Sequence, residues 1–222
     1  IALKLYTNNY SIYIYNNPVN QTNKKNYSQF GQDEYVLKNI FKNKTDGFFV
    51  DIGANHPTNC NNTYLLELNN WTGIAIEPQK ELRDLWSSTR KTQCLDYVIG
   101  DENKRIDFIE GGLEEHGLSG VDGFNKVKNN YKKISVNQKK LNDIFNEKSI
   151  SYVDYLSIDV EGYEMNVLKG IDFSETNIKL IGVENDTGFK KIPIIGKRLG
   201  MELGNNTLRK FIENKGYTYI AR

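Results

Sequence analysis

Short apolar runs alternate along this chain with segments in which apolar residues recur at helical spacing. The apolar runs lie at 48–50, 73–76, 94–101, 152–158 and 178–183. Runs of this length are typical of buried strands, and the periodic segments between them predict helices. Strands that alternate with helices predict an α/β domain, built on a mostly parallel central sheet with helices on both faces.

The first 27 residues differ from the rest in being rich in Asn and Tyr. We interpret 1–27 as an N-terminal arm, with one strand predicted at the alternating patch 11–15. Residues 28–222 are predicted to form a single domain, because neither a repeat nor a linker interrupts them. Within it, the glycine-rich stretch 111–123 is a candidate active-site loop, and the basic stretch 125–133 is interpreted as a solvated face.

The strand that begins at Phe48 leads directly into Asp51 and Gly53, and a helical pattern begins near Tyr64. A strand, a glycine turn and a helix form the nucleotide-binding corner of many α/β sheets. Glycine suits such a turn because, without a Cβ, it lets the backbone approach a ligand closely. The dinucleotide fingerprint needs three glycines and only Gly53 is present, so an ordinary turn stays open as an alternative.

An acidic residue ends each of five predicted strands. These residues are Asp51, Glu77, Asp101, Asp159 and Glu184. Because the carboxyl ends of parallel strands meet at one edge of a sheet, we expect these carboxylates to line one crevice. Glu77 follows Asp51 by 26 residues, near the roughly 20-residue spacing at which an acid binds ribose hydroxyls in nucleotide folds. Asp101, one strand further on, is a candidate to accept a hydrogen bond from the amino group of an adenine ring.

The aspartate at the glycine turn favours a cationic ligand over a phosphate. Phosphates bind where glycine-rich turns open a helix, usually with a basic partner. Asp51 would repel a pyrophosphate, whereas it would attract the ammonium of an amino-acid moiety. The residues therefore favour S-adenosylmethionine over NAD or ATP.

Several blocks of the chain match the pattern of a known family. They are Asp51-x-Gly53-Ala54-Asn55, Asn62-Thr63-Tyr64, Trp71-x-Gly73-Ile74-x-Ile76-Glu77-Pro78, Ser157-Ile158-Asp159-Val160-Glu161-Gly162-x-Glu164 and, upstream, Tyr27-Ser28-Gln29-x-Gly31-Gln32-Asp33. In these blocks the chain resembles the FkbM-type S-adenosylmethionine-dependent methyltransferases. The resemblance implies a Rossmann-like class I methyltransferase fold and O-methyl transfer, often to a sugar or polyketide hydroxyl. His56-Pro57 departs from the pattern, since many members carry a small residue or a second glycine there.

The strand-end acids and the resemblance together define the candidate site residues. Candidate catalytic residues are Asp159, Glu161 and His56. Candidate cofactor-binding residues are Asp51, Gly53, Asn55, Asn62, Thr63, Glu77, Pro78, Asp101 and Asp159. Candidate substrate-binding residues are Gln29, Asp33, His116, Ser119 and Glu184.

The catalytic roles rest on position and on chemistry. Asp159 follows the strand after which methyltransferases of this type place a residue near the transferred methyl group. His56 offers an imidazole, whose ordinary pKa suits proton removal near neutrality. Two simpler roles stay open: Asp159 and Glu161 could cap the helix that follows, and both His56 and His116 could be plain turn or loop residues.

The expected cofactor is S-adenosyl-L-methionine, with S-adenosyl-L-homocysteine as the product. No metal is expected among the site residues. A Mg²⁺ ion is kept as a side hypothesis, because Asp159, Glu161 and Glu184 offer the hard oxygen ligands that this ion prefers.

Charge and composition narrow the classes of partner. With 29 basic and 28 acidic residues, no global charge favours nucleic acid or an anionic membrane. No apolar run approaches the roughly 18 residues of a membrane span. The start of the chain lacks a signal-peptide layout, and two cysteines give no disulfide framework, so we expect a cytoplasmic protein. The Tyr-rich arm is a candidate surface for a homodimer.

The function predicted from these features is methyl transfer to a carbohydrate hydroxyl. The acceptor would be a nucleotide-activated sugar or a capsular or other surface polysaccharide. One alternative acceptor is a phosphate- or phosphoramidate-modified glycan. A nucleotide-dependent oxidoreductase would share the sheet and the acids but needs a fuller glycine fingerprint. The alternative of another class is a non-catalytic, methyltransferase-like binding subunit.

Overall fold

A computed structural model describes five stretches of the chain. They are residues 3–8, 27–111, 119–124, 132–184 and 206–221. The strand predicted at 11–15 and the candidate residue His116 lie outside them.

The elements follow the predicted alternation of strands and helices. The strands are β1 (Leu3–Thr7), β2 (Phe48–Ile52), β3 (Thr72–Ile76), β4 (Gln93–Leu95), β5 (Val98–Ile99), β6 (Lys104–Glu110), β7 (Gly120–Val121), β8 (Lys132–Lys139), β9 (Tyr152–Ile158), β10 (Asn177–Glu184) and β11 (Thr218–Ala221). The helices are α1 (Gln32–Tyr35), which a π-helical turn continues (Val36–Ile40), α2 (Tyr64–Leu68), α3 (Lys80–Thr89), α4 (Leu141–Glu147), α5 (Glu164–Lys169) and α6 (Asn206–Glu213). None of these described helices has the length and apolar character that crossing a bilayer requires.

Seven strands form the central sheet, in the order β11-β1-β10-β9-β2-β3-β4. The five strands from β10 to β4 run parallel to their neighbours. By contrast, β1 is antiparallel to both β10 and β11, so the sheet is mixed rather than wholly parallel. The parallel part brings the carboxyl ends of β2, β3, β9 and β10 to one edge, where ligands bind in sheets of this kind.

The strand β1 lies within the segment predicted to be an arm. It pairs with β10 over its whole length, from Leu3 opposite Glu184 to Thr7 opposite Leu180. Its Leu5 and Tyr6 are buried. The start of the chain therefore contributes to the central sheet, and its short apolar alternation, interrupted by Lys4, did not predict this strand.

A second sheet, in the order β5-β8-β6-β7, corrects the single strand predicted at 94–101. That stretch divides in two: β4 ends at Leu95 in the central sheet, and β5 pairs with β8 in the second sheet. The pair of β6 and β8 is antiparallel. Asp101 therefore follows a strand of the second sheet, and the prediction that it ends a strand of the central sheet is wrong.

Apolar side chains cover both faces of the central sheet. Val50 and Ile52 belong to a buried cluster that includes residues of α4, α5 and α6. Phe49 belongs to a different cluster, with residues of the π-helical turn and of α2. Because successive residues of a strand point to opposite faces, the two clusters lie on opposite sides of the sheet. Helices therefore pack on both faces.

The centre of the first cluster provides a test of this core. Leu156 of β9 is fully buried, so we expect Leu156→Ala to lower the free energy of unfolding by about 3 kcal/mol. Leu68, which is 53% exposed at the end of α2, is the matched control. Its replacement by Ala should change that free energy by less than about 0.5 kcal/mol in urea denaturation. Equal losses at the two positions would contradict the described packing.

Candidate functional site

A cavity of about 300 Å³ opens at the carboxyl edge of the central sheet. Asp51, Glu77, Asp159 and Glu184 all line it. The structure thus brings together four of the five acids that the sequence placed at strand ends. Asp101 does not line the cavity, although Val98 and Ile99 of the strand before it do.

The second sheet supplies an apolar part of the lining. Val98, Phe108, Val121 and Tyr163 line the cavity and form one buried cluster with Val136 of β8. Sequence reasoning missed this part of the site. The available signal was the alternation of apolar and polar residues in β8, which the neighbouring lysines obscured.

The described lining of the cavity is acidic. Its charged residues are Asp51, Glu77, Asp159, Glu161 and Glu184, and no Lys, Arg or His of the described residues joins them. Because charges interact more strongly in a partly buried site than in water, such a lining favours a cationic ligand and disfavours a phosphate.

The glycine turn after β2 joins two strands of the site. Gly53 has a φ of 73°, and its N–H and that of Ala54 both donate to the Ile76 carbonyl at 3.1 Å. A Cβ on Gly53 would lie 1.9 Å from the backbone oxygen of Asp159. The position requires glycine both for its left-handed conformation and for this close approach.

Asp51 is buried next to a hydroxyl donor. The Thr63 hydroxyl donates to its Oδ2 at 2.7 Å. Burial raises the pKa of Asp51 to about 6, although the Thr63 hydrogen bond and the charge of Arg90 act in the opposite direction. The carboxyl is therefore ionised at neutral pH but protonates in mild acid.

Glu77 is equally buried, and it anchors two turns. Its Oε2 accepts from the N–H of Asn55 at 3.0 Å, and its Oε1 accepts from the N–H of Gln79 at 2.9 Å. Burial raises the pKa of Glu77, and these two backbone donors oppose the shift. The Gln79 side-chain amide also donates to Oε1, at 3.3 Å. Because a carboxylate has about four acceptor positions, Glu77 keeps the capacity to accept from one ligand hydroxyl.

Asp159 and Glu184 lie side by side because their strands are in register. Ile158 pairs with Val183 in the parallel ladder, and each acid occupies the next position along its strand. The two carboxyl groups interact directly with each other. Burial raises the pKa of both, and the negative charges of Asp159 and Glu161 raise that of Glu184 further.

Comparison with known proteins gives one match. A family model described as the methyltransferase FkbM domain matches residues 51–219, well over half of the chain. The chain belongs to the FkbM methyltransferase family. The matched range starts at Asp51 and includes all five acids of the cavity lining. No curated protein and no solved structure matches the chain.

Most of the candidate residues of this FkbM domain meet at the cavity. Besides the four strand-end acids, these are Gly53, Asn55, Asn62, Pro78, Glu161, Gln29 and Ser119. Thr63 does not line it but donates to Asp51, which does. Asp33 lies outside the lining and accepts hydrogen bonds from the hydroxyl and the N–H of Ser28.

His56 also lies outside the cavity lining of the FkbM domain. Its Nδ1 accepts from the N–H of Thr58 at 3.2 Å and from that of Asn59 at 3.0 Å. This geometry gives the imidazole a role in holding the 56–59 turn, which is the simpler of the two roles considered for it. The observed contacts therefore favour carboxylates over His56 as the base.

Arg90, which sequence reasoning missed, supports the site from behind. Its side chain is fully buried and pairs with Glu67 at 2.8 Å. The guanidinium lies 4.2 Å from the Trp86 ring, so it stacks on an indole. It also donates to Thr63, whose hydroxyl donates to Asp51. An arginine at the end of a helix looks like a surface residue in the sequence, which is why no signal singled it out.

The contacts of Arg90 predict that lysine cannot replace it. Arg90 also donates to the Pro57 carbonyl and to Asn61 Oδ1, each at 3.0 Å. A lysine keeps the charge but not the planar fork that reaches these acceptors. We expect Arg90→Lys to lower the free energy of unfolding by about 2 kcal/mol, through buried acceptors left without donors. Urea denaturation measures this decrease in the free energy of unfolding.

A second arginine provides the control for this prediction. Arg105 lies exposed on β6, where it bonds Ser135 and Asn137. Because exposed contacts of this kind contribute little, Arg105→Lys should change the free energy of unfolding by less than about 0.5 kcal/mol. If Arg90→Lys were as mild, the buried network would not hold the site.

Proposed function

We propose that this FkbM domain has a Rossmann-like class I methyltransferase fold and is an S-adenosylmethionine-dependent O-methyltransferase that acts on a carbohydrate hydroxyl. The observation that carries the proposal is the anionic cavity beside the Gly53 turn. Five carboxylates line it, and the described lining contains no basic residue. A sulfonium donor with an ammonium group fits such a cavity, whereas the pyrophosphate of NAD would be repelled.

The residues suited to hold the cofactor are distributed along the cavity. The Asp51 carboxylate would attract the ammonium, and Glu77 keeps acceptor capacity for one ribose hydroxyl. Val98 and Ile99 offer apolar surface for an adenine ring, since both line the cavity. Asp101, which the sequence suggested for the adenine amino group, lies outside the described lining.

The chain's own residues orient an acceptor and take up its proton. S-adenosylmethionine supplies an electrophilic methyl group when bound. Transfer of this methyl group to an acceptor hydroxyl would require that hydroxyl to lose its proton. Asp159 and Glu161 are the carboxylates proposed to accept it. Because burial raises the pKa of Asp159, this group is a stronger base than an exposed aspartate.

The lining also favours an uncharged sugar as the acceptor. Gln29, Asn59, Asn62 and Ser119 present amides and a hydroxyl to the cavity. Such groups can donate to and accept from sugar hydroxyls. Nucleotide-activated sugars and phosphate- or phosphoramidate-modified glycans carry negative charge, for which the described lining offers no cation. A hydroxyl of a neutral capsular or surface polysaccharide is therefore the acceptor we propose.

Calorimetry tests the cofactor part of the proposal. We expect S-adenosylmethionine and S-adenosylhomocysteine to bind one per chain, and NAD not to bind. Binding of NAD alone would support an oxidoreductase instead. A folded protein that binds none of the three ligands would support the non-catalytic binding subunit.

A panel of acceptors tests the substrate part. The panel contains neutral polysaccharide fragments, nucleotide-activated sugars and phosphorylated glycans, and mass spectrometry detects the added methyl group. We expect transfer to the neutral fragments. Transfer confined to the charged acceptors would refute the assignment made from the lining.

A further inference from the structure

Glu184 differs from the other buried acids in the described part of the chain. The buried acids are Asp33, Asp51, Glu77, Asp154, Glu164 and Glu184. The first five accept hydrogen bonds from hydroxyl, ammonium or backbone N–H donors. Glu184 is 2% exposed, yet its Oε2 has no hydrogen-bond partner. A buried carboxylate oxygen without a donor is costly, and a cation beside it would offset that cost.

Two more carboxylates surround the same point of the cavity. Asp159, Glu161 and Glu184 each offer one oxygen, and these oxygens all lie within 4.8 Å of one another. The parallel register of β9 and β10 fixes the first and the last of the three. All three line the cavity proposed to hold the donor and the acceptor.

We propose that Asp159, Glu161 and Glu184 bind one divalent cation, such as Mg²⁺ or Mn²⁺. The inference deepens the proposed function, on which its catalytic meaning rests. The ion would occupy the space that the orphaned Glu184 oxygen faces, and the acceptor hydroxyl would be a further oxygen ligand. Because each carboxylate would contribute one oxygen, the other oxygen of Asp159 or Glu161 stays available to accept the hydroxyl proton. Binding to a divalent ion would orient that hydroxyl and ease the loss of its proton.

The chemistry of the three groups favours a divalent ion over a single ammonium. Three carboxylates around one monovalent cation leave two negative charges, whereas a divalent ion leaves one. Hard oxygen ligands are those that Mg²⁺ prefers. Given metal–oxygen distances of about 2.1 Å, adjacent ligands of an octahedral Mg²⁺ lie about 3 Å apart and opposite ligands about 4 Å apart. Side-chain movements of about 1–2 Å would therefore bring the three oxygens to the distances that one ion requires.

A Mn²⁺ titration followed by electron paramagnetic resonance tests this site without any assay of activity. We expect the wild-type protein to bind one Mn²⁺ per chain, and Mg²⁺ to displace it. Glu184→Gln and Asp159→Asn should each weaken Mn²⁺ binding at least about tenfold, since each removes one charged ligand. Both replacements keep the shape of the side chain, and thermal denaturation confirms that each variant is folded.

Glu164→Gln is the matched control for these variants. Glu164 is also buried and lies near the same loop, but its carboxylate already accepts from the N–H of Gly162 at 2.9 Å. The control should bind Mn²⁺ as the wild type does. The proposal is overturned if the folded wild type binds no Mn²⁺, or if the Glu184 and Asp159 variants bind it unchanged.

The binding of S-adenosylhomocysteine in the presence of a chelator separates this proposal from the proposed function. Cofactor binding without any Mn²⁺ binding would leave the methyltransferase assignment standing and refute the metal site. Mn²⁺ binding at the three carboxylates without cofactor binding would support the metal site and refute the cofactor assignment.

Discussion

Replacing Asp51 by Asn is expected to abolish tight cofactor binding while making the ligand-free protein more stable. Asp51 lines the cavity and is buried, so its charge acts on a ligand with little screening. Losing one partner of a buried charge pair costs about 2–5 kcal/mol of binding free energy. Calorimetry with S-adenosylhomocysteine, which keeps the ammonium, measures this loss.

The gain in stability follows from the raised pKa of the same group. Burial moves the pKa of Asp51 from 3.8 to about 6, so the folded state favours the protonated form. Stability from this group is complete below the lower value and is lost as pH rises through about 6. That loss amounts to about 3 kcal/mol at neutral pH. Asparagine carries no charge, so Asp51→Asn should recover much of it at pH 8 and none at pH 4.

The pH dependence of binding is a second test of the role of the Asp51 carboxylate. Wild-type affinity for S-adenosylhomocysteine should increase as pH rises through about 6, because Asp51 becomes charged. In Asp51→Asn this increase should be absent or much smaller. Asp46, whose side chain is 86% exposed, is the control, and Asp46→Asn should leave affinity and stability unchanged. A fully binding Asp51→Asn would remove this carboxylate from the cofactor site.

The central strands could be predicted because their burial leaves a clear signal. The runs that form β2, β3, β9 and β10 are apolar along most of their length, as strands buried on both faces are. Each ends at or next to an acid, and the register of parallel strands then places those acids at one edge. For this reason the acidic lining of the cavity followed from the sequence.

The second sheet could not be predicted in the same way, because only one of its faces is buried. In β8 the residues alternate between buried or half-buried and exposed positions, and lysines stand at both ends. That composition resembles a solvated surface, so the apolar part of the cavity lining stayed hidden. The same limit explains Asp101: its strand, β5, has two residues, too few to show to which sheet it belongs.

The supporting role of Arg90 could not be predicted for another reason: it depends on contacts between residues that are distant in the sequence. Arg90 reaches Thr63 and Asn61 across the loop that follows β2. A sequence shows only a charged residue at a helix end there. That such an arginine is buried can be recognised only in the structure, which shows the acceptors around it. Residues that support a site from behind are therefore harder to predict than the residues that line it.

Replacing Gly53 by Ala is expected to damage both the fold and the site. The added Cβ would lie 1.9 Å from the Asp159 carbonyl oxygen, and a backbone atom cannot rotate away. The N–H of Asp159 also donates to the Ile52 carbonyl at 3.0 Å, so relief of the clash would strain the junction of β2 and β9. We expect the free energy of unfolding to fall by about 3 kcal/mol, the left-handed penalty and the overpacking cost together.

Gly216 distinguishes the conformational penalty from the cost of the clash. It has a similar left-handed backbone conformation, but the space around its Cα is open. Its φ is 89°, and a Cβ there would meet no atom within 4 Å. Gly216→Ala should therefore pay only the conformational penalty, about 1 kcal/mol, and should bind S-adenosylhomocysteine normally. Gly53→Ala should lose both the further stability and the cofactor, because the clash moves Asp159 relative to Asp51. If urea denaturation gave the two variants the same stability, the close contact between the Gly53 turn and Asp159 would not exist, and the shared cavity of β2 and β9 would lose its basis.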